Sequence, residues 1–203
     1  MFRFPAAMSA AVLMTGTCRA HDGLETETEI RVRKDRIEIT VRSSLVFAWK
    51  LLGERAPSDT SEASLEKARA ELKKDAGKLV EMTAAGTPLK PRSVDCLFEL
   101  EQHAAFLYVF ETPPGNPEIA FKACFLKTVS DMEEGTFRLI DLTRDPRRRD
   151  VEPLASKRLQ RVDDSFAFVI KGEGVKVVPD KASAAKARPD NPERAGGGGS
   201  PAE

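Results

Sequence analysis

Three residues of this sequence could together bind a metal ion: the two histidines His21 and His103, and Glu101. If His21 is the first residue of the mature chain, its α-amine and imidazole form a chelate, and both groups are substantially deprotonated near neutral pH. Copper(II) favours nitrogen ligands of this kind. Glu101 and His103 stand at i and i+2, so both side chains point to the same face of a strand. The three residues therefore form a candidate copper or nickel site.

Simpler interpretations of the same residues stay open. His21 and Asp22 alone could bind a metal at the chain terminus, without a contribution from the folded domain. His21 could also be a polar first residue and His103 an exposed turn residue, with no metal bound at either. The sequence alone does not show whether the two histidines are neighbours in space.

Motifs of known catalytic chemistry do not occur in the sequence. It contains no Gly-x-Ser-x-Gly, no phosphate-binding loop, no His-Glu-x-x-His and no Cys-x-x-Cys. A Ser-His-Asp or Cys-His arrangement would have to use His21 or His103, and neither is close in sequence to a plausible nucleophile. We therefore expect that the protein is not an enzyme.

The first 20 residues are typical of a secretory signal peptide. Arg3 supplies the positive charge, residues 5–14 form an apolar run, and small and polar residues lead to Ala20. The apolar run is only half the roughly 20 residues that a transmembrane helix needs. We expect cleavage after Ala20, which makes His21 the first residue of a periplasmic or secreted protein.

A lipid anchor at Cys18 is the alternative to cleavage after Ala20. Against it, residues 15–17 lack the leucine with which a lipoprotein box usually begins. No later segment of the chain approaches the length of a membrane span. We therefore expect the mature chain to contain no transmembrane segment.

The overall charge argues against binding to nucleic acids. Lys and Arg together equal Asp and Glu together, at 32 each, and removal of residues 1–20 takes away two arginines, which leaves a net charge of −2. Such a balance creates no long-range field. The basic run at residues 144–150 contains Asp145 and Asp150, so we interpret it as a solvated loop, with an anion-binding patch as the alternative.

The chain beyond Val178 has a different composition. Residues 179–203 contain no Ile, Leu, Val, Met or aromatic residue. A segment of this kind buries too little apolar surface to offset its conformational entropy. We expect a disordered polar tail at 179–203 and a single folded domain at 21–178.

The elements that must position the candidate ligands begin with a hairpin at residues 28–42. Apolar and charged residues alternate there, which is typical of two half-buried strands. One register places all the apolar side chains on one face. Its pairs are Val32 with Ile37, Ile30 with Ile39, and Thr28 with Val41.

Two helices are predicted next. Residues 44–53 are apolar on nearly all sides and end at Gly53, which indicates a short buried helix with Trp49 in the core. A second helix is predicted to begin near Asp59, with Glu62 completing a capping box. It is amphipathic, since small and apolar residues recur at spacings of three and four from Leu65 onward.

The remainder of the chain is predicted as strands. Hairpins are expected at residues 79–91, with Gly86 in the turn, at 93–112, with its turn centred on His103, and at 165–178. Two further strands flank the acidic turn at 130–135. Eight or nine short strands and an early helical pair predict a mainly β fold, an antiparallel, immunoglobulin-like β-sandwich with a two-helix insertion near the N-terminus.

Two cysteines remain after signal cleavage, Cys96 and Cys124. The predicted strands place Cys96 on a face with Phe98, and Cys124 on a face with Ala120. A disulfide forms only if those two faces meet. Two free thiols, of which at least one is buried, are the alternative.

Taken together, these features resemble a known family. The mature histidine, the first hairpin, the charged helix before the "GTPL" hairpin at 86–89 and the aromatic-rich strands resemble the extracytoplasmic N-terminal domain of HupE/UreJ-type membrane proteins. The resemblance covers about residues 21–178 and implies a link to nickel or cobalt handling. Where that family has a polytopic membrane region, this chain has a polar tail, which implies that any membrane partner is a separate polypeptide.

Two functions follow as expectations. The first is a non-catalytic secreted or periplasmic binding domain, accessory to a membrane metal-handling system, and it requires an exposed apolar patch. The alternative is a periplasmic copper- or nickel-binding carrier that uses the mature N-terminal His21, and it requires that His21 and His103 approach each other.

Overall fold

The computed structural model describes residue 24 and residues 26–179, except for 100–102, 130, 133, 149–150 and 173. The predicted signal peptide at 1–20 lies outside the described residues, as does the predicted tail except for Pro179. The described part folds around a single hydrophobic core.

Eleven strands in the described part of the chain form two sheets, in agreement with the predicted mainly β class. The first sheet has the order β5-β6-β2-β1-β8-β9. Its strands are β1 (Thr26–Val32), β2 (Arg36–Ser44), β5 (Ser93–Glu99), β6 (His103–Glu111), β8 (Glu134–Asp141) and β9 (Ala155–Gln160). The second sheet has the order β11-β10-β7-β3-β4. Its strands are β3 (Glu81–Ala84), β4 (Thr87–Pro88), β7 (Glu118–Lys122), β10 (Ser165–Lys171) and β11 (Gly174–Val177).

The β1–β2 hairpin has the predicted register. Val32 pairs with Ile37, Ile30 with Ile39, and Thr28 with Val41. The paired Ile and Val side chains are buried, with at most 1% exposure. The last and first hairpins of the second sheet are also confirmed: β10 pairs with β11, and β3 turns back onto β4 through Ala85 and Gly86. Both turn residues have positive φ, 48° and 79°, as a type I′ turn requires.

The prediction that all strands pair in antiparallel fashion is wrong for one central pair, because β8 runs parallel to β1. The strand before it, β7, belongs to the other sheet, so the acidic turn does not join two neighbouring strands. The predicted strand at 117–129 ends at Lys122, and the short helix α3 (Phe125–Thr128) follows. This change of direction carries the chain across to the first sheet, where a parallel neighbour becomes possible.

The edge strand β9 is missing from the sequence-based prediction. Of its six residues only Leu159 is fully buried, and most of the others are polar. A strand of this composition lacks the apolar alternation by which strands are recognised. Polar edge strands are common because they discourage pairing with other chains.

Aromatic side chains join the two sheets. The ring of Phe137 in β8 lies 5.7 Å from that of Phe121 in β7 and 4.4 Å from that of Phe166 in β10, measured between centroids. Such distances are typical of aromatic pairs packed in a core. The two sheets therefore pack face to face in a sandwich-like arrangement on the β8 side of the first sheet.

Two helices cover the inner face of the first sheet on its other side. Helix α1 (Leu45–Leu52) places Phe47 edge-on against Phe106 of β6, at 6.3 Å. Its Trp49 packs against Phe98 of β5 at 5.6 Å but remains partly exposed, so the prediction of a core tryptophan is only partly right. The helix ends at Gly53, as predicted, with φ of 57°.

Helix α2 (Glu62–Ala76) begins later than predicted. The Ser61 side chain caps it by accepting a hydrogen bond from the Ser64 N–H. Asp59 instead accepts bonds from the backbone N–H and hydroxyl of Ser61. The predicted capping box of Asp59 and Glu62 is therefore wrong, because a carboxylate two residues before the cap forms a local turn instead.

Hydrogen bonds fix α2 against β5 and β6. Arg69 donates from Nε to the carbonyl of Cys96, and Tyr108 donates its hydroxyl to the carbonyl of Ala76 at 2.8 Å. The buried Asp75 accepts bonds from Lys78 and Arg55, and these two cations lower the pKa of its carboxyl below the ordinary value. The helix therefore covers the edge of the sheet that β5 would otherwise expose.

Cys96 and Cys124 are free thiols, Cys96 buried and Cys124 half-buried. Cys124 lies just before α3 instead of on the predicted strand face. A membrane-spanning helix would have to be longer and more apolar than any helix in the described part of the chain.

Candidate functional site

One end of the first sheet contains a cleft of about 410 Å³, which we call the sheet-end cleft. It lies where β1, β6 and β8 begin and where β2, β5 and β9 end. Because β1 and β8 are parallel, their first residues meet at this end of the sheet. Its lining residues are Thr26, Glu27, Arg42, Ser43, Glu99, His103, Glu134, Gly135, Thr136 and Arg158.

Each of the two walls carries one cation and one anion. On one wall the Arg42 guanidinium lies 3.4 Å from the Glu99 carboxylate, and on the other the Arg158 guanidinium lies 3.4 Å from that of Glu134. All four side chains are more than one third exposed. Ion pairs so long and so exposed contribute little to stability. Their remaining donors and acceptors are therefore available at the cleft surface.

Two residues of the cleft lining, Thr26 and Ser43, carry hydroxyl groups that point to the core face of the sheet, beneath the cleft. Thr26 and Ser43 pair across β1 and β2 and are 3% and 1% exposed. Within the part of the chain that the structure describes, neither hydroxyl oxygen has a hydrogen-bond partner, and the same holds for the fully buried Thr28 two residues further along β1. Buried polar groups are nearly always hydrogen-bonded in folded proteins. These three hydroxyls are exceptions to that rule, and they lie on the core face where β1 begins and β2 ends.

Gly135 lies beside Thr26 on the core face of the sheet, near the buried ring of Phe125. A Cβ atom placed on Gly135 would lie 2.4 Å from the hydroxyl oxygen of Thr26 and 3.3 Å from its carbonyl oxygen. Glycine is therefore needed at this position for the threonine side chain to fit. The next residue, Thr136, donates its hydroxyl to the Thr26 carbonyl at 3.4 Å.

The charges around the cleft are balanced. Glu27, the third carboxylate of the lining, forms an ion pair with Arg138 on the outer face of the sheet. Together with the two wall pairs, three carboxylates face three guanidinium groups. Each described carboxylate and guanidinium group of the lining thus has a partner of opposite charge.

His103 is the one predicted metal ligand that the structure describes. It is the exposed first residue of β6 and lines the sheet-end cleft. The predicted turn centre is wrong, because Phe98 pairs with Ala104 and His103 itself pairs with Glu99 as part of the β5–β6 ladder. The register differs by four residues, which leaves the same side chains in the core.

His21 and Glu101, the other predicted ligands, lie outside the described residues. Among the described residues, no group of three or more His, Cys, Asp or Glu side chains is arranged to hold a metal ion. The structure thus places His103 in the sheet-end cleft, and the predicted metal site that joins it to His21 and Glu101 stays a prediction.

A second feature is an apolar surface on the outer face of β5 and β6. Leu97 pairs with Ala105 there, and Leu107 and Val109 continue the row along β6. Leu97 is 37% exposed, Leu107 and Val109 are partly exposed, and Ala105 is buried, with 1% exposure. None of these four residues packs against the hydrophobic core. We call them the outer strip.

The other half of the same outer face is charged and partly covered. Ile140 and Glu29 are each only 8% exposed there. Together with Val151 they line a second cleft, of about 810 Å³. Arg33 donates to the carbonyl of Pro146 at 2.6 Å, which holds the basic loop in place. Residues 144–148 of that loop are exposed, as the prediction of a solvated loop requires.

The sequence-based prediction missed the residues beneath the cleft. The β1–β2 alternation places Thr28 on the core face, and the same alternation continued by two residues places Thr26 there too. Two hydroxyl residues that face the core, Thr26 and Thr28, could therefore have been noticed in the sequence. The proximity of Gly135 could not, because it depends on the β1–β8 pairing. Comparison with protein families found no match, and comparison with curated proteins found no similar sequence.

Proposed function

We propose that the protein is a non-catalytic, extracytoplasmic binding domain, an immunoglobulin-like sandwich that serves a membrane metal-handling system by docking to a protein partner. The observation that carries this proposal is the outer strip. Its three exposed or half-buried members, Leu97, Leu107 and Val109, lie on two neighbouring strands, and apolar residues grouped in this way on a surface are typical of protein interaction sites. The two packed sheets around one core support the immunoglobulin-like assignment.

The location of the outer strip fits a docking role. Both strands that carry it are held in place, β5 by the Arg69 contact from α2 and β6 by pairing with β2 in the same sheet. The surface is therefore rigid, and a partner that binds it loses little conformational entropy in ordering it. On the β1–β8 half of the same outer face, ion pairs and the basic loop cover the surface. The outer strip is therefore the apolar half of this face.

Photo-crosslinking in the native cell tests this proposal. A benzophenone amino acid replaces Leu97 in one variant and Val162 in a control. Val162 is 92% exposed at the β9–β10 turn, away from the strip, so both probes are accessible. We expect Leu97 to crosslink to one membrane protein and Val162 not to do so. Equal crosslinking from both positions, or none from Leu97, would contradict the proposal.

A second candidate function is that of a periplasmic copper or nickel carrier, in which His21 binds the metal with His103 and Glu101. One observation favours it: His103 lines the same cleft as Thr26, which follows His21 by only five residues. An extended chain of this length spans roughly 17 Å, enough to reach across the cleft.

Calorimetric titration of copper(II) separates this carrier function from simple terminal binding. We expect one tight site in processed protein, weakened sharply by an added N-terminal methionine and moderately by His103→Ala. The control is the isolated peptide HDGLET. If the peptide and the protein bind copper equally, the fold contributes no ligand and the carrier function is excluded.

The extracytoplasmic location has a test of its own. Mass spectrometry of the protein from its native host should show a chain that begins at His21. A diacylglycerol-modified Cys18 at the N-terminus would instead establish a lipoprotein.

A further inference from the structure

We propose that the second cleft, on the β1–β8 half of the outer face, binds the phosphate group of a small phosphate ester or of a lipid head group. This inference goes beyond the docking function, because the outer strip lies on the β5–β6 half of the same face. It rests on three arginine side chains that converge on the cleft, on the anchoring of the loop that supplies one of them, and on the size of the cleft.

The three arginines come from three separate parts of the chain. Arg31 belongs to β1, Arg138 to β8, and Arg148 to the loop at residues 142–154 between β8 and β9. The Arg31 and Arg138 side chains are 45% and 41% exposed. Arg31 donates to Glu29 through Nε only, and Arg138 pairs with Glu27 through Nη2. Because a guanidinium has several N–H donors, both side chains keep donors available to a ligand.

The charge of Arg148 has no partner in the described part of the chain, and its side chain is exposed. The described lining contains three arginines and two glutamates, Glu29 and Glu152, which leaves one excess positive charge. The Glu29 carboxylate is only 10% exposed and is bound to Arg31 at 2.6 Å. An anion that enters the cleft therefore meets more positive than negative charge.

The loop that carries Arg148 is anchored on both sides of it. Two residues before Arg148, the Pro146 carbonyl accepts a hydrogen bond from the Arg33 guanidinium at 2.6 Å. Further along, Leu154 donates its N–H to the Leu139 carbonyl of β8 at 2.8 Å. Loops of this length without helix or strand are uncommon in compact domains and often serve a function. The anchors lower the conformational entropy that a bound ligand would otherwise remove from the loop.

The arrangement fits a tetrahedral oxyanion better than a planar carboxylate. Guanidinium groups bind both kinds of anion through paired N–H groups. Arginines from three different elements can contact a phosphate together, because its oxygens point in several directions, whereas the two oxygens of a carboxylate lie in one plane. The volume of about 810 Å³ falls in the range of roughly 300–1,000 Å³ that is usual for small-molecule sites. Ile140 and Val151 provide an apolar contact for the rest of the ligand.

Calorimetric titration of the mature protein with inorganic phosphate, glycerol 3-phosphate and acetate at low salt tests this proposal. We expect saturable binding of the phosphate probes and much weaker binding of acetate. Co-sedimentation with phosphatidylglycerol vesicles distinguishes the two sources of the phosphate group. Binding of the vesicles without binding of the soluble probes would assign the cleft to a lipid head group, and the reverse would assign it to a soluble phosphate ester.

Arg148→Gln and Arg138→Gln should each weaken binding about tenfold, since each removes charged hydrogen bonds to the ligand. Arg147→Gln is the matched control. It removes the same charge from the same exposed loop, but Arg147 does not line the cleft, so the affinity should stay nearly unchanged. Glu152→Gln removes a carboxylate of the lining and should strengthen binding.

Thermal melts verify that all four variants fold. The proposal is overturned if neither the phosphate probes nor the vesicles bind, or if acetate binds as tightly as phosphate. It is also overturned if Arg147→Gln weakens binding as much as Arg148→Gln, which would indicate a general attraction to the basic loop, or if Glu152→Gln weakens binding.

Discussion

Substitution of Gly135 by alanine tests the packing beneath the sheet-end cleft directly. The added methyl carbon would lie 2.4 Å from the Thr26 hydroxyl oxygen, 3.3 Å from the Thr26 carbonyl oxygen and 3.5 Å from a ring carbon of Phe125. The first distance is far below van der Waals contact, and overpacking of this kind costs about 1–3 kcal/mol. Gly135 has no positive φ, so no backbone strain adds to this cost.

A double-mutant cycle with Thr26→Ala isolates the responsible contact. Removal of the hydroxyl and methyl groups takes away the atom that Gly135→Ala would meet first. The alanine then retains the gain of about 0.4–1 kcal/mol that comes from a less flexible unfolded chain. We therefore expect Gly135→Ala to destabilise the protein by about 1–2 kcal/mol in the presence of Thr26, and to be nearly neutral in its absence.

Urea unfolding followed by circular dichroism provides the free energies of unfolding of the four proteins in the cycle. The corresponding melting temperatures should change by about 2–4 °C per kcal/mol for a chain of this size. If Gly135→Ala costs the same free energy with and without the Thr26 side chain, the clash is not at Thr26 and the described packing is wrong.

Three further predictions concern the core, the pH dependence and the thiols. Phe137→Ala should destabilise the protein by about 3–5 kcal/mol in urea unfolding, since its ring joins the two sheets, whereas Val162→Ala at an exposed turn should change stability by less than about 0.5 kcal/mol. The cationic neighbours of Asp75 lower the pKa of its carboxyl, so its contribution to stability is present above the unfolded pKa of 3.8 and is lost as the pH falls through the folded pKa. Asp75→Asn should therefore reduce the loss of stability at acidic pH. An unchanged loss would contradict the contact. Burial raises the pKa of the Cys96 thiol to about 12, so peptide mapping after alkylation of the native protein should show Cys124 modified well before Cys96, and the reverse order would refute the buried position.

The parts of the fold that were predictable from the sequence are those that local pattern determines. The β1–β2 register follows from alternation across a short turn, and the apolar side chains leave only one register in which all of them are buried. The β5–β6 register is different, because a shift by four residues keeps each side chain on its own face. The turn centred on His103 was therefore compatible with the pattern although it was wrong.

The candidate site depended on information that alternation does not contain. Thr26 and Ser43 pair within the β1–β2 hairpin, but Gly135 reaches them only because β8 is a parallel neighbour of β1, and the sequence gives no local signal for that pairing. His103 was singled out for its chemistry, and its position at the cleft follows from the position of β6 in the sheet. The sequence therefore indicated one residue of the cleft but not the packing beneath it.

The parallel pairing of β1 with β8 also constrains the order of events during biogenesis. The two strands meet only when the chain has been made almost to residue 141, about 110 residues after β1, and long-range pairing of this kind is slow. Until then the β1–β2 hairpin exposes one strand edge, which is a template for pairing with other chains. A polypeptide that crosses a membrane with its N-terminus first would present this edge early, before the segment that covers it has arrived. If the domain is exported as we propose, a holdase chaperone that covers this edge should raise the yield of folded protein, and its depletion should trap aggregates that contain the N-terminal hairpin.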